Sequence, residues 1–366
     1  MMVPEDKLYL AALQMIRGIG YKRLTYLLTK IPDVKKIWQS TAVELKKYDI
    51  HESCISILQK GRNPEFLSRL PALLEKFNTT LITIYDETYP PLLKETATPP
   101  YILYCQGKLP PAHHLFISIV GSRKSSPYGN RVAHQLGKEL AQQDVIIVSG
   151  GARGIDTKAH QGALQGNGKT IVVIASGIDI TYPPENTTLF ANIIKNDGCI
   201  LSEYPFGTPP SAANFPARNR IIAGLSSGVI IVEAAAKSGA LITTDFALEE
   251  GRDIFVVPGS IYSLTCQGSN ALLRNGAIAL TKTEDVIIEY KKIITPTIPN
   301  SQPVATTTLT PEETQILAIL SYEVPLSYED ILLKSGLSLT KLPQILLQLQ
   351  LKQCIKIWNG SQYIRI

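Results

Sequence analysis

Three stretches of the chain bring glycine, a small polar residue and arginine close together. They are GSRKSSPYG at 121–129, SGGARGIDTKAH at 149–160 and FPARNRIIAGLS at 215–226. Glycine lets backbone amides approach a ligand, hydroxyls and amides donate to oxyanions, and a guanidinium fork matches two phosphate oxygens. The chemistry of such stretches is anion recognition. In the first, Gly121, Ser122 and Arg123 precede Pro127, which suits a first helical turn. In the second, Gly150, Gly151, Arg153 and Gly154 make an amide-lined concavity. In the third, Phe215, Arg218, Asn219 and Arg220 crowd within six positions. Lys237, Ser238 and Gly239, in KSGALIT at 237–243, form a further corner of this type, and GSNALLRNGA at 268–277 is another candidate. Several such corners along one edge suit a polymer of phosphates better than a single nucleotide.

Each stretch also has a plainer reading. GSR is compatible with an ordinary strand–helix turn, and it is not the GxGxxG of a dinucleotide site. Asp156 and His160 lie one helical turn apart. No serine or cysteine nucleophile stands at a readable spacing, so a structural hydrogen bond is favoured over a catalytic dyad. Arg218 and Arg220 point different ways on a helix. One is expected on phosphate and the other in an internal ion pair with Glu203 or Glu233, and the residues leave open which is which. Phe215 either stacks on a base, which needs no particular base, or packs in the core. Glu233 reads as a brace for arginine rather than as a catalytic acid.

The elements that must position these residues follow from the hydrophobic pattern. FISIV (116–120), VIIVS (145–149), TIVVIAS (170–176), CILSE (199–203), GVIIVEA (228–234) and DIFVVPG (253–259) are nearly continuous apolar runs separated by helix-length segments. Strands covered on both faces read this way, so the expected fold is α/β, a doubly wound parallel (Rossmann-like) sheet. The boundaries expected are an N-terminal helical domain of the SAM or helix–hairpin–helix type at 1–78, the Rossmann-like domain at 79–290, a linker at 291–308 and a winged helix at 309–366. RGIGYKRLTYLL at 17–28 carries the glycine turn of a helix–hairpin–helix, or of a plain αα-hairpin. Segment 79–107 reads as an extended lead-in fixed by prolines. Three helices and a hairpin with an Asn359-Gly360 turn make the winged helix.

Bulk properties bound the rest. A chain of 366 residues, 45 % hydrophobic and 18 % charged, describes a soluble protein of two or three domains. Its excess of positive charge sits in residues 1–85, with thirteen Lys and Arg against eight Asp and Glu; the remainder balances. Polyanion binding in the middle must therefore come from placed groups rather than a diffuse basic field. Five scattered cysteines, with no CxxC pair, argue against zinc and a disulfide framework, and no cofactor or metal is expected. No apolar run approaches the roughly eighteen residues of a membrane span, and MMVPEDKLYL lacks a cleavable apolar core. A cytoplasmic protein without membrane attachment is the expectation.

The strings TYPPLL, GSR–SPYG, SGGARGID–KAH, SGIDITYPPEN, LSEYPFG, FPARNRIIAGLS, VEA–KSGALIT, GRDIFVVPG and GSNALLRNGA, in this order, resemble the DNA-processing protein A family (DprA, also called Smf). The resemblance covers nearly all of 85–280. It implies a cytosolic protein that binds and protects single-stranded DNA and helps load the RecA recombinase during natural transformation, acting as a homodimer; a non-catalytic, sequence-tolerant binder is the leading expectation. It also implies that Gly121, Ser122 and Arg123, the loop Gly150 to Gly154 with Arg153, and the segment Phe215 to Arg220 hold the DNA backbone. The candidate recognition helix of the winged module, about 339–352, carries only Lys341 and Lys352 as cations, which argues against duplex readout. The rival class is a nucleotide phosphoribohydrolase of the lysine-decarboxylase-like type. Its PGGxGT-x-x-E signature has no counterpart here, where the corresponding stretch reads VEAAAKSGALIT.

Overall fold

The structure, a computed structural model, describes residues 4–290, 309–321, 325–352, 354–358 and 362–365. It divides into two compact units, residues 1–295 and 296–366. The expected linker at 291–308 and the Asn359-Gly360 turn lie outside the described residues.

In the first unit, six helices come first: α1 (Pro4–Gln14), α2 (Tyr21–Lys30), α3 (Val34–Gln39), α4 (Ala42–Lys47), α5 (Glu52–Gly61) and α6 (Pro64–Lys76). Three of them have caps written in the sequence. The side chains of Asp33, Thr41 and Asn63 accept from the first-turn amides of α3, α4 and α6, which would otherwise lack partners. The apolar faces of these helices, including Leu10, Leu13, Leu24, Leu27 and Leu58, share one core with Ile102, Tyr104, Val172 and Phe190 of the segment that follows.

That segment forms a nine-stranded sheet from β1 (Thr79–Thr83), β2 (Ile102–Gly107), β3 (Phe116–Val120), β4 (Ile146–Ser149), β5 (Thr170–Val173), β6 (Cys199–Ser202), β7 (Gly228–Ile231), β8 (Asp253–Val256) and β9 (Ile278–Ala279), in the order β1-β2-β6-β5-β4-β3-β7-β8-β9. Strands β3 to β9 pair in parallel, and all six apolar runs become strands. The extended lead-in is more than a lead-in. It supplies β1 and β2, which add to β6 as an antiparallel edge.

The helices are α7 (Pro91–Lys94), α8 (Pro127–Gln142), α9 (Ile155–Gln165), α10 (Thr187–Lys195), α11 (Asn214–Leu225), α12 (Ala240–Glu249), α13 (Gln267–Arg274) and α14 (Thr283–Glu289). Alternation along each strand assigns the faces. Ile117 and Ile119 of β3 pack with Ala133, Leu136, Ile155 and Ala159 of α8 and α9. Phe116 and Val120 point the other way, toward Ile221, Ile222 and Ala240 of α11 and α12. The strand order reverses between β3 and β7. In an open α/β sheet that reversal opens a crevice beyond the carboxyl ends of the strands.

The second unit contains α15 (Pro311–Ile319), β10 (Leu326–Ser327), α16 (Tyr328–Ser335), α17 (Leu342–Leu351), β11 (Ile355–Trp358) and β12 (Gln362–Arg365), with strand order β10-β12-β11. This is a winged helix. Its core is Ile316, Leu317, Ile331, Leu342, Leu346 and Leu349, so the leucines of α17 hold the module together.

Candidate nucleic-acid interface

A cleft of about 840 Å³ lies at the reversal point, and Gly121, Ser122, Arg123, Phe215, Arg218, Asn219, Lys237, Ser238 and Gly239 line it. Nine of the fourteen residues singled out from the sequence therefore meet in one place. Gly150, Gly151, Arg153, Gly154 and Arg220 do not line it.

The first loop runs from β3 to α8. Its Ser122 N–H donates to the Glu233 carbonyl (2.8 Å). Ser126 caps α8 by accepting from the Gly129 N–H (3.0 Å). Glu233 is buried beneath it, accepting from the Ser126 N–H (2.9 Å) and from the Ser126 hydroxyl. Glu233 was expected to brace an arginine; it braces this loop instead. Arg123 is exposed and makes no ion pair among the described residues. Its guanidinium lies 4.4 Å from the centroid of the Phe215 ring. That stacking orients the cation without neutralising it.

The second loop, from β4 to α9, interlocks with the first. Gly154 has φ +77°, and a Cβ there would stand 2.4 Å from the Ser122 carbonyl oxygen. The Ile155 N–H donates to that same oxygen (3.3 Å). A Cβ on Gly150 would lie 2.6 Å from the Arg218 guanidinium, which explains the glycine: a buried cation crosses there. Arg218 is 3 % exposed and donates to the carbonyls of Gly150 (2.7 Å) and Val173. Arg153 is held in a forked ion pair by Glu185 (3.1 and 2.7 Å), so its charge is already compensated.

Asp156 and His160 stand side by side on α9 without forming a dyad. Asp156 accepts from the Ala152 N–H (3.3 Å), while His160 Nδ1 hydrogen-bonds the Thr170 hydroxyl (2.7 Å). Burial lifts the Asp156 carboxyl to about 6 in spite of the Arg218 charge, and burial pushes His160 down to about 3.

The third stretch is nearly the whole of α11 rather than a loop. Phe215 is half-buried, so it is not a core residue; Tyr182 packs beside it with centroids 5.7 Å apart. Arg220 makes the internal ion pair, with Glu203, and donates to the Thr98 carbonyl (2.8 Å). Arg218 is buried on backbone carbonyls. Neither arginine therefore offers the cleft a free fork, and the expected division of labour between them gives way to Arg123. Asn219 joins two elements, accepting from Arg218 Nε (3.3 Å) and donating to the Gly239 carbonyl (3.3 Å). Lys237 is exposed and without an ion pair among the described residues.

The sequence reading missed Lys124 and Tyr182. Lys124 is a second exposed, unpaired cation in the lining, and it follows Arg123 directly in the quoted loop. Tyr182 lies in the TYPP turn, which carried no chemical signal until the fold placed it against Phe215. Among the lining residues the only carboxylate is Asp156, buried behind the lining with Arg218 as its nearest charge, set against the exposed Arg123, Lys124 and Lys237. The cleft is built for an anion.

The family model of DNA recombination-mediator protein A matches residues 80–291, and that of the DprA winged helix domain matches residues 300–361. The chain belongs to the DNA recombination-mediator protein A family. Relatives of DprA type include Protein Smf of Escherichia coli (strain K12), 43 % identical over 214 residues, 58 % of this chain and 57 % of that protein. The DNA processing protein DprA of Streptococcus pneumoniae is 44 % identical over 209 residues, 57 % of this chain and 73 % of that one. The match thus spans little more than half the length of the Escherichia coli relative. Among solved structures, DprA from Streptococcus pneumoniae superposes with a TM-score of 0.65 at 32 % identity, covering 79 % of this chain and 99 % of that one. DNA processing protein A from Helicobacter pylori, described with a single-stranded DNA binding mode, gives a TM-score of 0.52 at 32 % identity over 59 % of this chain and 97 % of that one.

The winged helix is similar to the DprA module, and its own geometry bears on duplex reading. Lys341 pairs with Glu312 (3.8 Å) and Lys352 with the fully buried Glu313 (2.6 Å). Both cations flanking α17 are thus engaged inside the module. Among the described residues, no helix is long and apolar enough to cross a membrane.

Proposed function

We propose that this protein binds single-stranded DNA without sequence preference, holding its phosphates in the cleft between β3 and β7 and protecting the strand. The observation that carries this reading is the set of uncompensated cations, Arg123, Lys124 and Lys237, around a lining whose only carboxylate is buried. Arg123 lies over Phe215, so a phosphate on the fork and a base near the Phe215–Tyr182 pair are served by one cluster. Ser122, Ser238 and the backbone of Gly121 and Gly239 add polar contacts along the same walls. Gly150, Gly151, Gly154 and Arg218 act from behind as positioning residues.

The bound strand is handed on to a RecA-type recombinase, in natural transformation or other recombination, by a homodimer. The recombination-mediator and DNA-processing names of the relatives support this part of the reading, as does the single-stranded DNA binding mode described for the Helicobacter pylori protein. The role is non-catalytic. Asp156, in the lining, and Glu233, beneath the first loop, are both buried and engaged in hydrogen bonds.

A paired titration tests the proposal. Single-stranded oligonucleotide is expected to bind more tightly than the duplex of the same sequence. Arg123→Ala is expected to weaken binding by about tenfold to a hundredfold for every sequence alike, since removing a charged hydrogen-bond donor forfeits about 1.5–3 kcal/mol. Unchanged affinity in Arg123→Ala, or a preference for duplex, would overturn it.

A further inference from the structure

The rim that bears the cleft does not stop there. Strand β2 runs antiparallel to β6, with Tyr104 opposite Ser202, and β1 runs antiparallel to β2, with Thr83 opposite Ile102. The start of β2 and the end of β1 therefore lie on the same edge as the carboxyl ends of β3 to β7. Tyr101 and Tyr85 stand there, and the helical segment adds Tyr21. Their rings form a ladder: Tyr21 to Tyr101 at 5.5 Å, then Tyr101 to Tyr85 at 6.4 Å. Tyr101 is buried and donates to the Thr25 hydroxyl (2.8 Å), which fixes the middle ring. Tyr85 is the outer ring and is 47 % exposed.

The residues that follow β6 and β1 at this edge are held in place. Tyr204 donates to the Asn214 carbonyl (3.3 Å) beside Phe215, and the neighbouring Glu203 is neutralised by Arg220. Asp86, next to Tyr85, is closed off by Lys7 (2.7 Å). Glu87 is the exposed acid left in that segment. Close to Tyr21 in the sequence, Arg17 and Lys22 are exposed and make no ion pair among the described residues.

We propose that a single strand leaving the cleft continues along this rim onto the N-terminal helices, stacking a base on Tyr85 and setting phosphates against Arg17 and Lys22. This extension rests on the cleft reading above and deepens it. An exposed aromatic ring backed by two others is preorganised for base stacking, and stacking tolerates any base. The charge complements a backbone, and the ladder stands at the same sheet edge as the cleft. Arg17 and Lys22 belong to the segment, residues 1–85, that carries the chain's positive excess.

Two oligothymidines, of about six and about twenty nucleotides, separate the two sites, since sites of this kind cover about 4–16 nucleotides. Tyr85→Ala is expected to weaken the long oligonucleotide about fivefold or more and leave the short one unchanged. Arg17→Gln with Lys22→Gln is expected to flatten the salt slope of the long oligonucleotide by about 1.4, from roughly 0.7 per phosphate. These residues are solvent-facing, and an unchanged melting temperature verifies the fold. If Arg123→Ala weakens both lengths while the rim variants change neither, the extension is wrong and the cleft reading stands. An equal loss on both lengths in Tyr85→Ala also overturns the extension. If Arg123→Ala changes neither length, the cleft reading itself fails.

Discussion

At the scale of residues, the cleft shows how burial decides what an arginine does. Four arginines stood as candidates for the cleft, and their identity alone could not rank them. Arg218 is held beneath Gly150, Arg220 pairs with Glu203, Arg153 pairs with Glu185, and only Arg123 keeps an uncompensated charge at the surface. The glycine and arginine content of the stretches was legible; the helix phase that buried Arg218 and turned Arg220 toward β6 was not. Two buried titrating groups give a prediction at this scale. Asp156 has its carboxyl raised from 3.8 to about 6, so the native state holds a proton that the unfolded chain releases, and its contribution to stability falls as pH rises through that window. His160 is lowered from 6.5 to about 3, so its contribution is full above 6.5 and is lost as pH falls. From about pH 4 to 6 the two effects oppose each other and nearly cancel. His160→Gln should unmask the first, with unfolding free energy falling by up to about 1.4 kcal/mol per unit as pH rises from 4 to 6. Asp156→Asn should show the opposite slope. Denaturant titrations across that range check both, and parallel profiles in all three proteins would contradict the assignment.

At the scale of elements, two loops from neighbouring strands act as one part. The Ser122 carbonyl accepts from the Ile155 amide, and Gly154 lets the backbones close. Gly154→Ala adds a Cβ at a positive φ against that carbonyl, so it is expected to destabilise the fold by about 1–3 kcal/mol. It should also weaken single-strand binding, although Gly154 does not line the cleft. Melting and titration of the same sample check this, and intact stability would remove the interlock from the account. The six central strands were legible because burial on both faces makes apolar runs. Strands β1 and β2 were read only as extended chain. TTLIT is short and mixed, and prolines crowd the approach to ILYCQG, so pairing with β6 left no local mark.

At the scale of the whole molecule, function follows from a strand order that reverses once and so opens a single edge. The apolar runs and their helix-length spacing made the layered fold legible. The reversal itself was invisible, because it is a property of pairing between distant segments. The winged helix was legible from its three helices and hairpin. Its paired Lys341 and Lys352 agree with the scarcity of cations that argued against a duplex reader.

The central claim is that three uncompensated cations at the reversal point hold the phosphates of an unpaired strand. It is tested most directly by the salt dependence of short-oligonucleotide affinity in the wild type and in Arg123→Ala. At roughly 0.7 per phosphate, the wild type should show a slope of log affinity against log salt of about −2, and the variant a slope shallower by about 0.7. A flat dependence, or the same slope in both proteins, would contradict it.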